Sequence, residues 1–304
     1  MARAAMAALA KVLVTTVLLW LVLGSVGVDA LARAFARTDP VMLMLALCVL
    51  LVQFFVATWR WQALLHLLFG KRVSLAPLAL SIGQGMLASQ ALPATVGGDA
   101  YRMALISGEV GAGAAVRSVL CDRVLGLVLL VGLTVALLPL MVWRLGSTPA
   151  VVSVAAASVT ALLGFVALLA LAGPIARLPF FGAPLSTVAH DLRRALGGGG
   201  ESILANALGV ATHLLGIALI FVLGLSIKAS ISLLDCLLIV PPVLLVSALP
   251  VSLGGWGIRE SAFLAGFAMV GVDAADSVAV SILFGATGIL LGAVSALLAA
   301  RFSR

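Results

Sequence analysis

Charge is what this sequence has least of. Only 10% of its 304 residues are Asp, Glu, Lys or Arg, against about 25% in a soluble globular domain. That leaves no soluble domain large enough to house an enzyme. Cysteine is also scarce. Cys48, Cys121 and Cys236 are odd in number, lack C-x-x-C spacing and sit in or beside apolar runs. This excludes a disulfide framework and a thiolate metal site, and the three read as small buried hydrophobes. His66, His190 and His213 lie far apart, so no H-E-x-x-H helix or similar metal cluster exists. One tyrosine and five tryptophans give no strong aromatic belt. No cofactor and no metal is implied.

What is present is apolar. Hydrophobic residues make up 63% of the chain, and glycine, frequent in membrane helices, occurs 31 times. The net charge of +7 comes from basic residues scattered between apolar runs, with no dense patch. That pattern argues against nucleic acid. It fits loop charges that set membrane topology, with attraction to anionic lipid as a weaker reading. Uncharged runs cover 12–28, 40–59, 73–98, 124–143, 145–176, 202–227, 236–258 and 277–300. A membrane span needs about 20 mostly apolar residues, so these are eight candidate spans. The first follows Arg3 and Lys11 and reads as an uncleaved helix, not a processed leader.

The charges between runs suggest an orientation. Arg60, Lys71 and Arg72 follow the second run, and 177–201 carries Arg177, Arg193 and Arg194 beside Asp191 and Glu201. The stretch before the last run holds only Asp273 and Asp276. The expected arrangement has both termini, 60–72 and 177–201 in the cytoplasm, with 30–39 and 273–276 outside. Four glycines, 197–200, make 177–201 a hinge, within which 185–196 is predicted to be a short surface helix. The expected domain plan is one transmembrane domain over 1–304, with halves at about 10–176 and 202–300 joined by the link 177–201. Topology requires 73–123 to leave and return, either as two full crossings or as a re-entrant hairpin, and a similar question attaches to 250–272.

An internal similarity is the most informative feature. Residues 91–102 read ALPATVGGDAYR and residues 248–259 read ALPVSLGGWGIR. The shared pattern is A-L-P-x-x-x-G-G-x-x-x-R. Proline ends a helix, and a glycine pair permits unusual dihedrals. In hydrocarbon, broken helix is tolerated only inside protein or beside a wet cavity. Broken elements in matching positions of two halves point to a transporter binding site. Helix amino ends near Gly97–Gly98 and Gly254–Gly255 would offer N–H groups to an anion, and Arg102 and Arg259 full charge. The bland alternative makes each arginine a headgroup anchor. The expected fold is all-α: a polytopic helical membrane bundle with two Pro/Gly-broken, re-entrant elements in an inverted internal repeat.

Other polar residues are secondary candidates. Gln84 and Gln90 precede the first break and either line a polar path or bond a neighbouring helix. Asp99 either caps the next helix or pairs with Arg102. Arg102, Glu109 and Arg117 fall within about 80° of one another on a helical wheel, as a pore lining or the wet face of an interfacial helix. Asp122–Arg123 opens the run 124–143, where an acid favours the helix dipole. Glu260 adjoins Arg259, which neutralises it, and proton coupling through Glu260 or Asp99 is the sharper alternative. His213 reads as bonded to a neighbouring helix.

Three blocks, ALPATVGGDAYRMALI, SVLCDRVLGLVLLVGL and SLGGWGIRESAF, resemble the lysylphosphatidylglycerol synthase transmembrane-domain family over roughly residues 10–300. This is the flippase portion of the multiple-peptide-resistance proteins, together with stand-alone relatives. The matching positions are Pro93, Gly97, Gly98, Asp99 and Arg102; Asp122, Arg123 and Gly126; and Gly254, Gly255, Gly257, Arg259 and Glu260. The resemblance implies a helical bundle in a bacterial inner membrane that moves or handles a phosphate-containing lipid, aminoacylated or polyprenyl-linked. Bifunctional members continue into a soluble synthase domain, whereas this sequence stops at Arg304. The expectation is therefore a lipid flippase and not an enzyme. The rival is a membrane scaffold partner of a glycosyltransferase or lipid-modifying enzyme.

Overall fold

The computed structural model describes residues 2–91, 95–177, 182–249 and 251–302. Pro93 and Pro250, the prolines of the paired motif, lie outside the described residues. Within them the chain is all-helical, with no strand. In order the helices are α1 (Ala2–Val26), α2 (Val28–Ala36), α3 (Pro40–Phe69), α4 (Leu75–Ala91), α5 (Thr95–Val110), α6 (Ala112–Leu145) and α7 (Pro149–Ala170). There follow α8 (Ala172–Ile175), α9 (Gly182–Leu196), α10 (Gly200–Ser226), α11 (Leu233–Ser247), α12 (Ile258–Ala268) and α13 (Ala274–Phe302).

Six of these helices are long and apolar enough to span a membrane: α1, α3, α6, α7, α10 and α13. Two of the eight uncharged runs do not become long helices. Residues 73–98 give the 17-residue α4, and 236–258 gives the 15-residue α11. At 1.5 Å per residue these reach about 25 Å and 22 Å, short of a hydrocarbon core of about 30 Å. The link 30–39, read as a loop, is largely the amphipathic helix α2, set off from α1 by Gly27 at φ 82°. Residues 185–196 lie in a helix as predicted, α9.

The chain divides into two compact units, each discontinuous in sequence. One comprises 1–52, 82–101 and 214–304; the other comprises 53–81 and 102–213. In the first, α12 packs against α1, α11 and α13. Its buried Phe263 and Phe267 meet edge to face at 5.6 Å. Ser232 and Asp235 close a capping box at the start of α11, satisfying amides that hydrocarbon would leave bare. In the second, α6 packs on α7 and α9, around Leu64, Leu68, Cys121, Leu125, Leu192 and Ala195.

An ion pair and side-chain hydrogen bonds to carbonyls fix the ends of these elements. Arg37, after α2, pairs with Asp276 on α13 within the first unit. In the second, Arg194 donates to the carbonyls of Leu67 and Leu68 at 2.8 and 3.0 Å. The carboxyl end of α3 and the 177–201 link therefore meet at one end of that unit.

Candidate functional site

Each unit holds a buried arginine cluster. In the second it is built around Asp122. The uncharged run placed Asp122 at a helix start, but α6 begins ten residues earlier, at Ala112. Asp122 is thus inside the helix and 5% exposed. Its Oδ1 accepts from Arg60 Nε at 2.9 Å, and its Oδ2 from Arg102 Nη2 at 3.4 Å. Arg102 also stacks over the Trp61 ring, its guanidinium carbon 4.3 Å from the centroid. Trp61 is fully buried and donates its indole N–H to Ser118 Oγ at 3.2 Å. A Cβ at Gly126 would come within 3.3 Å of Arg60 Nη1, so the missing side chain makes room for the guanidinium. The Gly126 carbonyl is bonded to a ring nitrogen of His213 at 2.8 Å, the interhelical role read for that histidine.

Arg60 corrects the sequence reading. It was assigned to a topology-setting loop, but α3 continues to Phe69 and Arg60 is a buried helix residue. A charge in such a place is strongly destabilising unless it is paired. Asp122 supplies the pair.

In the first unit the cluster sits at the start of α12. The stretch 251–257 is irregular, with Gly254, Gly255 and Gly257 at φ 56°, 81° and 83°. All three use the left-handed region that favours glycine. A Cβ at Gly257 would also approach Leu18 Cβ to 2.7 Å. Glu260 closes the turn: its Oε2 accepts from the Gly257 amide at 2.6 Å. Its Oε1 accepts from Arg259 Nη2 and Ser281 Oγ, each at 2.9 Å. Arg259 Nε also donates to Ser281 Oγ at 3.2 Å, and the guanidinium stacks over Trp256 at 4.6 Å. The Trp256 indole N–H donates to Gln90 Oε1 at 2.9 Å. Gly285 on α13 faces Arg259, where a side chain would collide with the guanidinium. Glu260 and Ser281 are fully buried, and Arg259 is buried with them.

The remaining candidates fall differently. Gly97 and Gly98 were expected to break the helix, yet both lie within α5. Gly98 instead allows close helix contact, because a Cβ there would strike the Gly85 carbonyl of α4. Asp99 is buried inside α5 and is not its cap. The stripe Arg102–Glu109–Arg117 does not form, since Gly111 at φ 88° separates α5 from α6. Glu109 is exposed. Arg117 is held on α9 by both oxygens of Asp191, at 2.6 and 2.8 Å. Arg123 and Gln84 are half-buried on α6 and α4.

Five contributors escaped the sequence reading: Arg60, Trp61, Trp256, Ser281 and Asp191. Arg60 and Trp61 had a visible signal in Trp59-Arg60-Trp61, a charge between aromatics at the end of an apolar run. Ser281 and Asp191 had none, because only tertiary packing brings them to their arginines.

No curated protein and no solved structure matches the chain. The model of the lysylphosphatidylglycerol synthase TM region matches residues 8–296. With its long apolar helices and that match over nearly the whole chain, this multi-pass membrane protein belongs to the lysylphosphatidylglycerol synthase transmembrane-region family.

Proposed function

We propose that the protein moves a phosphate-bearing lipid between the leaflets of a bacterial cell membrane, with both termini in the cytoplasm. The observation that carries this reading is the Arg102 contact. The Arg102 guanidinium meets Asp122 at 3.4 Å and stacks over Trp61, with 12% of the side chain exposed. A partly open guanidinium backed by an aromatic ring is one that a lipid phosphate can reach. Arginine's planar fork suits phosphate, and the stacked Trp61 fixes its plane. Arg259, on the second motif copy, carries the same stacking and pairing and is the companion site. The motif copies belong to inverted halves, about 10–176 and 202–300, and the elements that carry them are re-entrant. The chain supplies no chemistry of its own: lipid binds, crosses and leaves unchanged.

Translocation in proteoliposomes holding only this protein tests the proposal. The panel contains labelled anionic and cationic phospholipids and a polyprenyl phosphate. Movement of one class above empty vesicles, lost in Arg102→Ala/Arg259→Ala at equal folded amount, is the expected result. A second reading, a scaffold for a glycosyltransferase or lipid-modifying enzyme, draws on Arg259 already being neutralised by Glu260 and hydrogen-bonded to Ser281. It predicts a co-purifying enzyme and no lipid movement.

A further inference from the structure

A second polar site differs in chemistry from both arginine clusters, although its Trp59 and Gln62 flank Arg60 and Trp61 in sequence. It is a pocket of about 340 Å³ within the second unit, lined by Trp59, Gln62, His66, Arg72, Glu201 and Leu204. These come from the last turns of α3, the link that follows it and the first turns of α10. His66 stands between opposite charges. Its Nδ1 meets Glu201 Oε1 at 2.5 Å, and its Nε2 accepts from Arg72 Nε at 3.2 Å. Arginine cannot accept a hydrogen bond. The neutral ring must therefore carry its proton on Nδ1, facing the carboxylate. The imidazole acts as a spacer that keeps one cation and one anion side by side without letting them collapse into an ion pair.

The two charges remain available to a ligand. Arg72 is exposed and the Glu201 side chain is 46% exposed. The pocket also has an apolar side, where Trp59 is 47% and Leu204 37% exposed. Tryptophan beside charged groups at a membrane helix end is the usual composition of the headgroup level. Gln62 is held by its amide donating to the Val73 carbonyl at 2.7 Å, which fixes that wall.

We infer that this pocket binds a phosphate ester carrying an ammonium group, as the headgroup of a zwitterionic phospholipid. The phosphodiester meets Arg72, the ammonium meets Glu201, and the acyl chains leave past Trp59 and Leu204. Formal charge at Arg72 and Glu201 cancels, so a headgroup bearing only negative charge gains at Arg72 and is repelled at Glu201. This goes beyond the transport proposal and does not rest on it, because binding here requires no movement between leaflets.

The test is lipid binding to the full chain in detergent, counted by native mass spectrometry. The probes are a short-chain zwitterionic phospholipid, an anionic phospholipid without an ammonium group and soluble phosphoethanolamine. The zwitterionic lipid is expected to bind at least about tenfold more tightly than either of the others. Glu201→Gln is expected to abolish its preference over the anionic lipid, and Arg72→Gln to weaken both lipids. Both sites are solvent-facing, so circular dichroism and gel filtration of each variant should match the parent. Soluble phosphoethanolamine binding as tightly as the lipid would overturn the lipid assignment. Unchanged zwitterionic binding in both folded variants would overturn the site.

Discussion

The two copies of A-L-P-x-x-x-G-G-x-x-x-R use the same letters for different physics. In the second, the glycines adopt positive φ and build a turn ahead of α12. In the first, Gly97 and Gly98 are helical, and Gly98 serves close contact with α4. The arginines converge where the glycines diverge. Each is stacked on a tryptophan and paired with an acid, Arg259 buried and Arg102 half-buried. Yet Arg259 finds both partners within three residues of chain, whereas Arg102 takes Trp61 and Asp122 from other helices. A motif repeated in sequence can thus preserve a chemical environment without preserving the backbone that delivers it.

Substitutions can break this comparison, and the largest effect belongs to the pairing acids. Asp122→Ala leaves Arg60 and Arg102 facing a site without its carboxylate. It should destabilise the fold by about 3–5 kcal/mol, read as loss of monodisperse protein or a large fall in Tm. Glu260→Ala should cost a comparable amount, since it also removes the bond to the Gly257 amide. If Glu260→Ala were tolerated while Asp122→Ala was not, the clusters would not be equivalent.

The glycines sharpen the contrast at the next level. Gly98→Ala should cost about 1–3 kcal/mol by overpacking against α4. Gly255→Ala meets only the Ser247 carbonyl, at an ordinary 3.6 Å, so its penalty of about 1 kcal/mol is conformational. Thermal unfolding of the two variants should rank them in that order, and the reverse ranking would contradict the assigned roles. Removing the Trp256–Gln90 bond with Gln90→Leu should cost about 1 kcal/mol by the same measurement. Glu109→Gln, on the exposed side of α5, should change neither Tm nor translocation.

How much of this was legible depended on chain distance. The Arg259–Glu260 pair is written in adjacent letters, and the long apolar helices follow from uncharged runs. Asp122 and Arg60 are separated by 62 positions, and no periodicity joins them. Helix ends misled where charge did. Arg60 seemed to close its span because the uncharged run stops at Trp59, although Leu64, Leu65 and Leu68 continue a buried face. Asp122–Arg123 seemed to open one because the weak segment Ala112–Val116 gives little sign of helix. The stripe through Glu109 and Arg117 failed on Gly111, a single residue at positive φ that divides one predicted helix into two.

In the proposed transport, Arg102 and Arg259 act as phosphate-reading forks and not only as charges. The most direct test is Arg102→Lys/Arg259→Lys reconstituted beside the parent protein. Lysine keeps the charge that Asp122 and Glu260 require but loses the planar fork and its stacking. The expected result is a folded protein whose lipid translocation falls at least about tenfold, some 1.4 kcal/mol at the barrier. Translocation equal to the parent's, at equal reconstituted amount, would contradict it.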